Sequence, residues 1–405
     1  ALTLPGEAIL ASERIRVLLL LPSLHGGGAE RMAVHVMQHA DPTQFDVRMG
    51  LLRRVGPYLS EVDPARVDAS PTGQRFLDYD GINAEIYNPL RLLPGVALAP
   101  ANALAMIRRF RPHVVVSYLK GMSLITQAAV TMYGRNRVRW IAREGNNTLA
   151  VLRSELANPV ALASVRRLMA FCYGSADRLL TISEDMARDL IRDLGLRPER
   201  VRTIYNCVDI ASVQKRAAEE PAVPVEAPFL VYVGRLHPQK GVDILFEAYA
   251  RSRAREQYRL VLVGDGAQRP ALLALAERLG IAERVTFTGF VENPWSYMAR
   301  ARAFLLPSLW EGFGNVVVEA MACGAPVVVT DCDFGPREIV RHGEDGLVVK
   351  AGDAAAFSAA IDHVALADSL RDAFAQAGQA RAREFDLPVV VKRYEDLFRE
   401  VAATL

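Results

Sequence analysis

The sequence predicts two α/β domains, each a Rossmann-like doubly wound parallel sheet, facing a central cleft. Three features carry that expectation. Short continuous apolar runs alternate with helical stretches, the pattern of parallel strands buried on both faces. The alternation lapses over residues 213–228, rich in Ala, Glu and Pro, and then restarts. At 405 residues the chain is also too long for one ordinary core. The expected division is an N-terminal domain over 1–212, a linker over 213–228, a second domain over 229–385 and a closing amphipathic helix within 386–405.

In chain order, the first half gives strands at 15–21, 47–52, 114–118, 138–142, 179–182 and 201–205. Helices at 29–39, 101–110 and 184–194 fall between them. The second half gives strands at 229–233, 259–263, 285–287, 303–306 and 326–330, with helices at 242–252, 269–279, 315–323 and 354–364. A last helix is expected over 387–401.

Composition narrows the class. Hydrophobic residues make up 51% and charged residues 23%, as in a folded globular protein. No apolar run approaches the ~20 residues that cross a bilayer. The first sixteen residues lack a basic head before an apolar core, so no secretory leader is expected. The four cysteines, Cys172, Cys207, Cys323 and Cys332, form no C-x-x-C pair and no metal-ligand spacing, which suits a reducing, cytoplasmic setting.

The net charge of +2 hides an asymmetry. Residues 1–220 hold 28 basic against 22 acidic side chains, and residues 221–405 hold 20 against 24. Within 91–216 the balance is 20 to 9, with clusters at Arg108-Arg109-Phe110-Arg111, Arg135-Asn136-Arg137 and Arg166-Arg167. Such a region suits an anionic membrane surface or a lipid diphosphate, at the inner face of a plasma membrane. A plain solvated arginine-rich surface is the alternative. No nucleic-acid partner is expected.

Three segments carry chemistry. In Gly234-Arg235-Leu236-His237-Pro238-Gln239-Lys240-Gly241, a strand ends and two cations five residues apart precede a helix. Strand carboxyl ends are where ligands bind in such sheets. Arg235 and Lys240 beside a helix N-terminus would clamp a diphosphate without metal. In Trp310-Glu311-Gly312-Phe313-Gly314-Asn315-Val316-Val317-Val318-Glu319, Glu311 is expected at the tip of a glycine-rich loop, facing a polar ligand. Gly312, Gly314 and the first helical amides, Asn315 and Val316, offer N–H groups to oxygens. Glu319 falls in an otherwise apolar helical turn and needs a partner; a ribose diol is one, and solvent is the plain alternative. The third segment, His25-Gly26-Gly27-Gly28, is a glycine turn letting backbone approach a ligand, but it is not G-x-G-x-x-G.

In this order the segments resemble the retaining glycosyltransferases of family 4, which have the two-domain GT-B fold. The likeness runs through Gly27-Gly28-Ala29-Glu30, Ile204-Tyr205-Asn206-Cys207-Val208-Asp209, the Arg235/Lys240 turn, the Glu311–Glu319 pair and Gly343-Glu344-Asp345-Gly346. It implies that Arg235 and Lys240 bind the donor diphosphate, that Glu319 binds the ribose and that Glu311 contacts the transferred sugar. Phe313 lies in the donor loop, Gly26 and Gly27 approach the donor, and Val291 presents backbone to the base. Where relatives carry a histidine near the sugar, this chain has Tyr118. His25, Tyr118, Lys120 and Glu144 are therefore candidates for the acceptor and sugar side. The donor is expected to be a UDP-sugar, with GDP-sugar second. The acceptor is expected to be a lipid-linked or surface glycan, by likeness of Ser117-Tyr118-Leu119 and Arg143-Glu144-Gly145-Asn146-Asn147 to members that assemble bacterial polysaccharides. No cofactor or metal is expected, the Asp331-Cys332-Asp333 triplet notwithstanding. A nucleotide-sugar 2-epimerase of the same fold and a non-catalytic nucleotide-sugar binder remain open.

Overall fold

The computed structural model describes residues 14–69, 89–145 and 158–405. Residues 1–13 of the N-terminal stretch read for a leader, and Asn146-Asn147, lie outside them. The chain divides into two compact units, Ala1–Ile204 with Val390–Leu405, and Tyr205–Val389.

Unit 1 is built on seven parallel strands: β1 (Ile15–Leu21), β2 (Phe45–Leu51), β3 (Val67–Ala69), β4 (Val114–Tyr118), β5 (Arg139–Arg143), β6 (Arg178–Thr181) and β7 (Val201–Thr203), in the order β3-β2-β1-β4-β5-β6-β7. Every residue of β4 is buried, because helices cover both faces of a parallel sheet. The order reverses between β1 and β4, so the loops leaving these two strands diverge and open a crevice at the carboxyl edge. From Val390 the closing helix Leu387–Ala402 also belongs to this unit. Phe398 meets Phe45 edge-on at 6.1 Å, and Arg178 Nε donates to Glu400 Oε1 at 3.0 Å.

Unit 2 repeats the plan with six parallel strands: β8 (Phe229–Val233), β9 (Arg259–Val263), β10 (Val285–Gly289), β11 (Phe304–Leu306), β12 (Val327–Thr330) and β13 (Leu347–Val349), in the order β10-β9-β8-β11-β12-β13. Its reversal falls between β8 and β11.

The structure departs from the sequence reading in particular places. Residues 213–228 do not begin as a linker: 213–217 complete a helix, Ile210–Ala217, whose N-terminus Asp209 caps by accepting from the Ser212 amide at 3.0 Å. Its buried stripe, Ile210, Val213 and Ala217, is too short to stand out from the Ala/Glu-rich run that follows. Strands β3 and β13 are three residues each, below the length at which an apolar run is visible. The helices Lys120–Tyr133, Pro159–Ser175 and Asp368–Ala382 were not among those expected.

Candidate active site

The site residues of unit 2 come from loops at the carboxyl edge of its sheet. β8 ends at Val233, a 3-10 turn spans Pro238–Lys240, and a helix runs Val242–Arg251. Gly241 joins turn and helix at φ +60°, and a Cβ there would lie 2.4 Å from the Pro307 carbonyl oxygen. Only glycine lets the loop after β8 press so closely on the loop after β11. A second such contact follows: Gly335, at φ +95°, would put a Cβ 1.9 Å from the Phe313 carbonyl oxygen. Hydrogen bonds stitch the loops after β8 and β11, Leu309 N donating to Gln239 O at 2.8 Å and the Gln239 side-chain Nε2 to Trp310 O at 2.9 Å.

That contact brings Lys240 and Glu311 together. Lys240 Nζ lies 2.5 Å from Glu311 Oε1, and Ser308 Oγ donates to the same oxygen at 2.7 Å. The Glu311 side chain keeps only 7% of its surface and the lysine 14%. Glu311 is therefore not at a loop tip facing outward, as the glycine-rich sequence suggested; an ammonium and a hydroxyl draw it inward. A buried carboxylate needs such partners, and the pair keeps both charges satisfied. Arg235, on the same turn, is exposed.

Glu319 sits on the helix Asn315–Ala322, which starts at Gly314 in a left-handed conformation. The neighbour that its apolar turn called for is an indole: Trp295 Nε1 donates to Glu319 Oε2 at 3.0 Å. Burial pushes the Glu319 carboxyl above its ordinary range, and the Trp295 hydrogen bond partly offsets that. Phe313 stacks on Tyr205 at 5.5 Å, and both meet Phe385 edge-on, at 5.6 and 5.5 Å respectively. The Glu311–Asn315 loop is thus anchored on the segments where the chain enters and leaves unit 2. Val291 follows β10, and Glu292 O accepts from Arg216 at 3.2 Å. Asp331 Oδ1 accepts from the Ala351 amide at 2.7 Å, and Asp333 lies 3.8 Å from Arg337. Among the described residues no group of three or more His, Cys, Asp or Glu is placed to hold a metal ion.

The candidates in unit 1 behave differently. His25 is exposed on the loop after β1, with Nδ1 2.7 Å from Ser23 Oγ, and Tyr58 OH donates to Gly26 O at 3.3 Å. Gly27 is exposed as well. Lys120 starts the helix after β4, half-buried, while Tyr118 and Glu144 are interior. The Arg143 guanidinium lies 5.1 Å over the Tyr118 ring and donates to Tyr394 OH at 2.9 Å. Tyr173 OH donates to Glu144 Oε1 at 2.5 Å. Between Tyr118 and Lys120, Leu119 takes φ +73°, an uncommon conformation for a residue with a Cβ. No sequence signal marked it.

Comparison with known proteins gives the following. The family model "Glycosyltransferase Family 4" matches residues 26–212, and "Glycosyl transferases group 1" matches 213–381. A Campylobacter jejuni N-acetylgalactosamine-N,N'-diacetylbacillosaminyl-diphospho-undecaprenol 4-alpha-N-acetylgalactosaminyltransferase is 33% identical over 219 residues, 54% of this chain and 59% of that protein. The lipopolysaccharide core biosynthesis glycosyltransferase LpsE of Rhizobium meliloti is 36% identical over 188 residues, 46% and 54% of the two chains. The chain thus spans less than two thirds of the length of these relatives. Among solved structures, Anabaena HepE in complex with UDP superposes with a TM-score of 0.72 at 21% identity, covering 96% of this chain and 100% of that one. The apo lipopolysaccharide outer core galactosyltransferase WaaB gives 0.73 at 21%, covering 95% and 100%. These similarities show the GT-B fold.

Proposed function

This chain belongs to the glycosyltransferases of family 4 and group 1, whose models tile residues 26–212 and 213–381, and from that membership we propose that it transfers a sugar from a UDP-sugar to a glycan or lipid-linked acceptor in bacterial surface-polysaccharide synthesis. The observation that carries the reading is the meeting of Lys240 and Glu311 at 2.5 Å, across the strand-order reversal between β8 and β11. A cation and a carboxylate lie side by side where open parallel sheets bind ligands, which supports a reading in which Lys240 serves the donor diphosphate and Glu311 the transferred sugar. The named activities of the relatives and the UDP bound to HepE support the substrate class.

In the proposed reaction the acceptor hydroxyl oxygen bonds to the anomeric carbon as the bond from that carbon to the diphosphate breaks. A donor phosphate oxygen takes the acceptor proton on the same face, so the anomeric configuration is retained. Arg235 and Lys240 offset the charge that grows on the leaving diphosphate, with no metal needed. Glu319 holds the ribose, Glu311 the sugar. The test is product analysis with a panel of UDP- and GDP-sugars and a polyprenyl-diphosphate-linked acceptor, with and without a chelator. Acceptor-dependent release of UDP that survives chelation is expected. Formation of the donor 2-epimer without acceptor would replace the reading with an epimerase, and loss in chelator restored by manganese would return Asp331 and Asp333 to the site.

The reading extends to a peripheral membrane position. No helix among the described residues is long and apolar enough to span a bilayer. The helix Pro159–Ser175 buries Met169, Cys172 and Tyr173, yet leaves Val160 72%, Leu168 49% and Phe171 66% exposed beside exposed Arg166 and Arg167. Apolar and cationic side chains on one outer face suit an anionic lipid interface. Phe171→Ser should weaken binding to phosphatidylglycerol vesicles; equal wild-type binding to neutral and anionic vesicles would contradict this.

A further inference from the structure

Trp295 belongs to no motif singled out in the sequence. It opens a one-turn helix, Trp295–Met298, just after the loop at 290–293, and is half-buried. Its indole N–H takes one oxygen of Glu319, Oε2, at 3.0 Å. The other oxygen, Oε1, has no hydrogen-bond partner among the described residues. The indole is itself held: the Arg216 guanidinium lies 4.9 Å over its face and donates to Glu292 O at 3.2 Å, while Asn293 Nδ2 donates back to Arg216 O at 2.8 Å. Three segments, the helix Ile210–Ala217, the loop after β10 and the helix Asn315–Ala322, are fixed to one another through this ring.

An indole is a donor only, so it can pair with a carboxylate but returns no acceptor to it. The terminal torsion of a glutamate is broad, and a carboxylate tethered at one oxygen loses most of that freedom. Tethering Oε2 therefore leaves Oε1 pre-aimed, ready for hydroxyl donors, with no ordering left to be done when the ligand arrives. We infer that Trp295 is a positioning residue that fixes the Glu319 carboxylate through Oε2 and so directs Oε1 at the vicinal hydroxyls of the donor ribose. This rests on the proposed assignment of Glu319 to the ribose. On this inference Trp295 acts through Glu319 rather than on the substrate itself, and the site's preference for ribose over deoxyribose becomes a property of two residues.

The test is calorimetry of UDP and 2′-deoxy-UDP with Trp295→Phe, Glu319→Ala and the double variant. Trp295→Phe keeps a ring under Arg216 and removes only the N–H and some area. It should weaken UDP about tenfold, the size expected for a hydrogen bond to a charged group, and bring the UDP to deoxy-UDP affinity ratio close to one. On top of Glu319→Ala it should cost less than about twofold, because coupled residues are not additive. Equal losses in both backgrounds, or an unchanged preference for UDP over deoxy-UDP, would make Trp295 ordinary packing and overturn the inference. Trp295→His, which retains a ring N–H, supplies a second variant: it should bind UDP more tightly than Trp295→Phe, and equal affinities would also overturn it. If Glu319→Ala alone, with Trp295 intact, left UDP affinity unchanged, the ribose assignment would be what failed.

Discussion

The two sheet edges of this protein share a topology and use it in opposite ways. In unit 2 the reversal between β8 and β11 brings two cations on the loop after β8 near one carboxylate on the loop after β11 and a second on the helix that follows. Lys240 pairs with Glu311, and Glu319 with an indole. In unit 1 the reversal between β1 and β4 leads to Tyr118, and the nearby charges of β5 turn inward: Arg143 packs on Tyr118 and bonds Tyr394, and Glu144 takes the hydroxyl of Tyr173. Burial and the Glu144 carboxylate raise the Tyr173 hydroxyl well above its ordinary pKa, so this group stays a proton donor to Glu144. Topology sets where a ligand can lie, and loop chemistry sets which ligand. On the proposed reading the edge of unit 2 takes the anionic nucleotide. That of unit 1 carries an exposed histidine and glycine turn, with Tyr118 buried below at the end of β4.

Substitution of Lys240 should break the comparison most sharply. Lys240→Ala removes the charge that counts when the diphosphate leaves, so turnover should fall about a hundredfold or more, and more than donor affinity does. Steady-state kinetics that showed a raised KM with kcat unchanged would instead make Lys240 a ground-state anchor.

A smaller, pH-dependent effect should follow from Glu319. Its carboxyl is raised by burial, so it takes up a proton at a higher pH than an exposed glutamate. Protonation removes an acceptor, and UDP affinity should therefore decline on acidification before that of a typical carboxylate site. The fold should not suffer from this group: with the folded pKa above the unfolded one, its contribution to stability is greatest below both and is lost as pH rises through the folded value. Calorimetry against pH, with the melting temperature recorded alongside, would separate the two; affinity and melting temperature falling together would point to unfolding.

Much of the scaffold was legible, and for a plain reason. Strands buried on both faces print continuous apolar runs such as Phe229–Val233, and the turns after them print glycines and charges such as Gly234, Arg235, Lys240 and Gly241. The family's mark on these turns needed no knowledge of pairing. What failed to show needed the third dimension. Lys240 and Glu311 are 71 residues apart, and only the adjacency of β8 and β11 makes them neighbours. Trp295 reaches Glu319 because two short helices pack side by side, a relation no periodicity encodes. Glu311 reads as an open tip because glycines follow the carboxylate, while its partners, Ser308 and Lys240, both converge on its Oε1. The helix Lys120–Tyr133 carries Ile125, Thr126, Val130 and Thr131, whose β-branching hides a helix that tertiary packing enforces.

The most direct measurement is calorimetric titration of UDP into four proteins: the native chain, Glu319→Ala, Glu311→Ala and, on the other sheet edge, Lys120→Ala. The account predicts UDP affinity about tenfold lower in Glu319→Ala, little changed in Glu311→Ala, and unchanged in Lys120→Ala. A loss in Lys120→Ala as large as in Glu319→Ala, or in Glu311→Ala as large as in Glu319→Ala, would contradict the division of the nucleotide and the sugar between these residues and place the donor elsewhere.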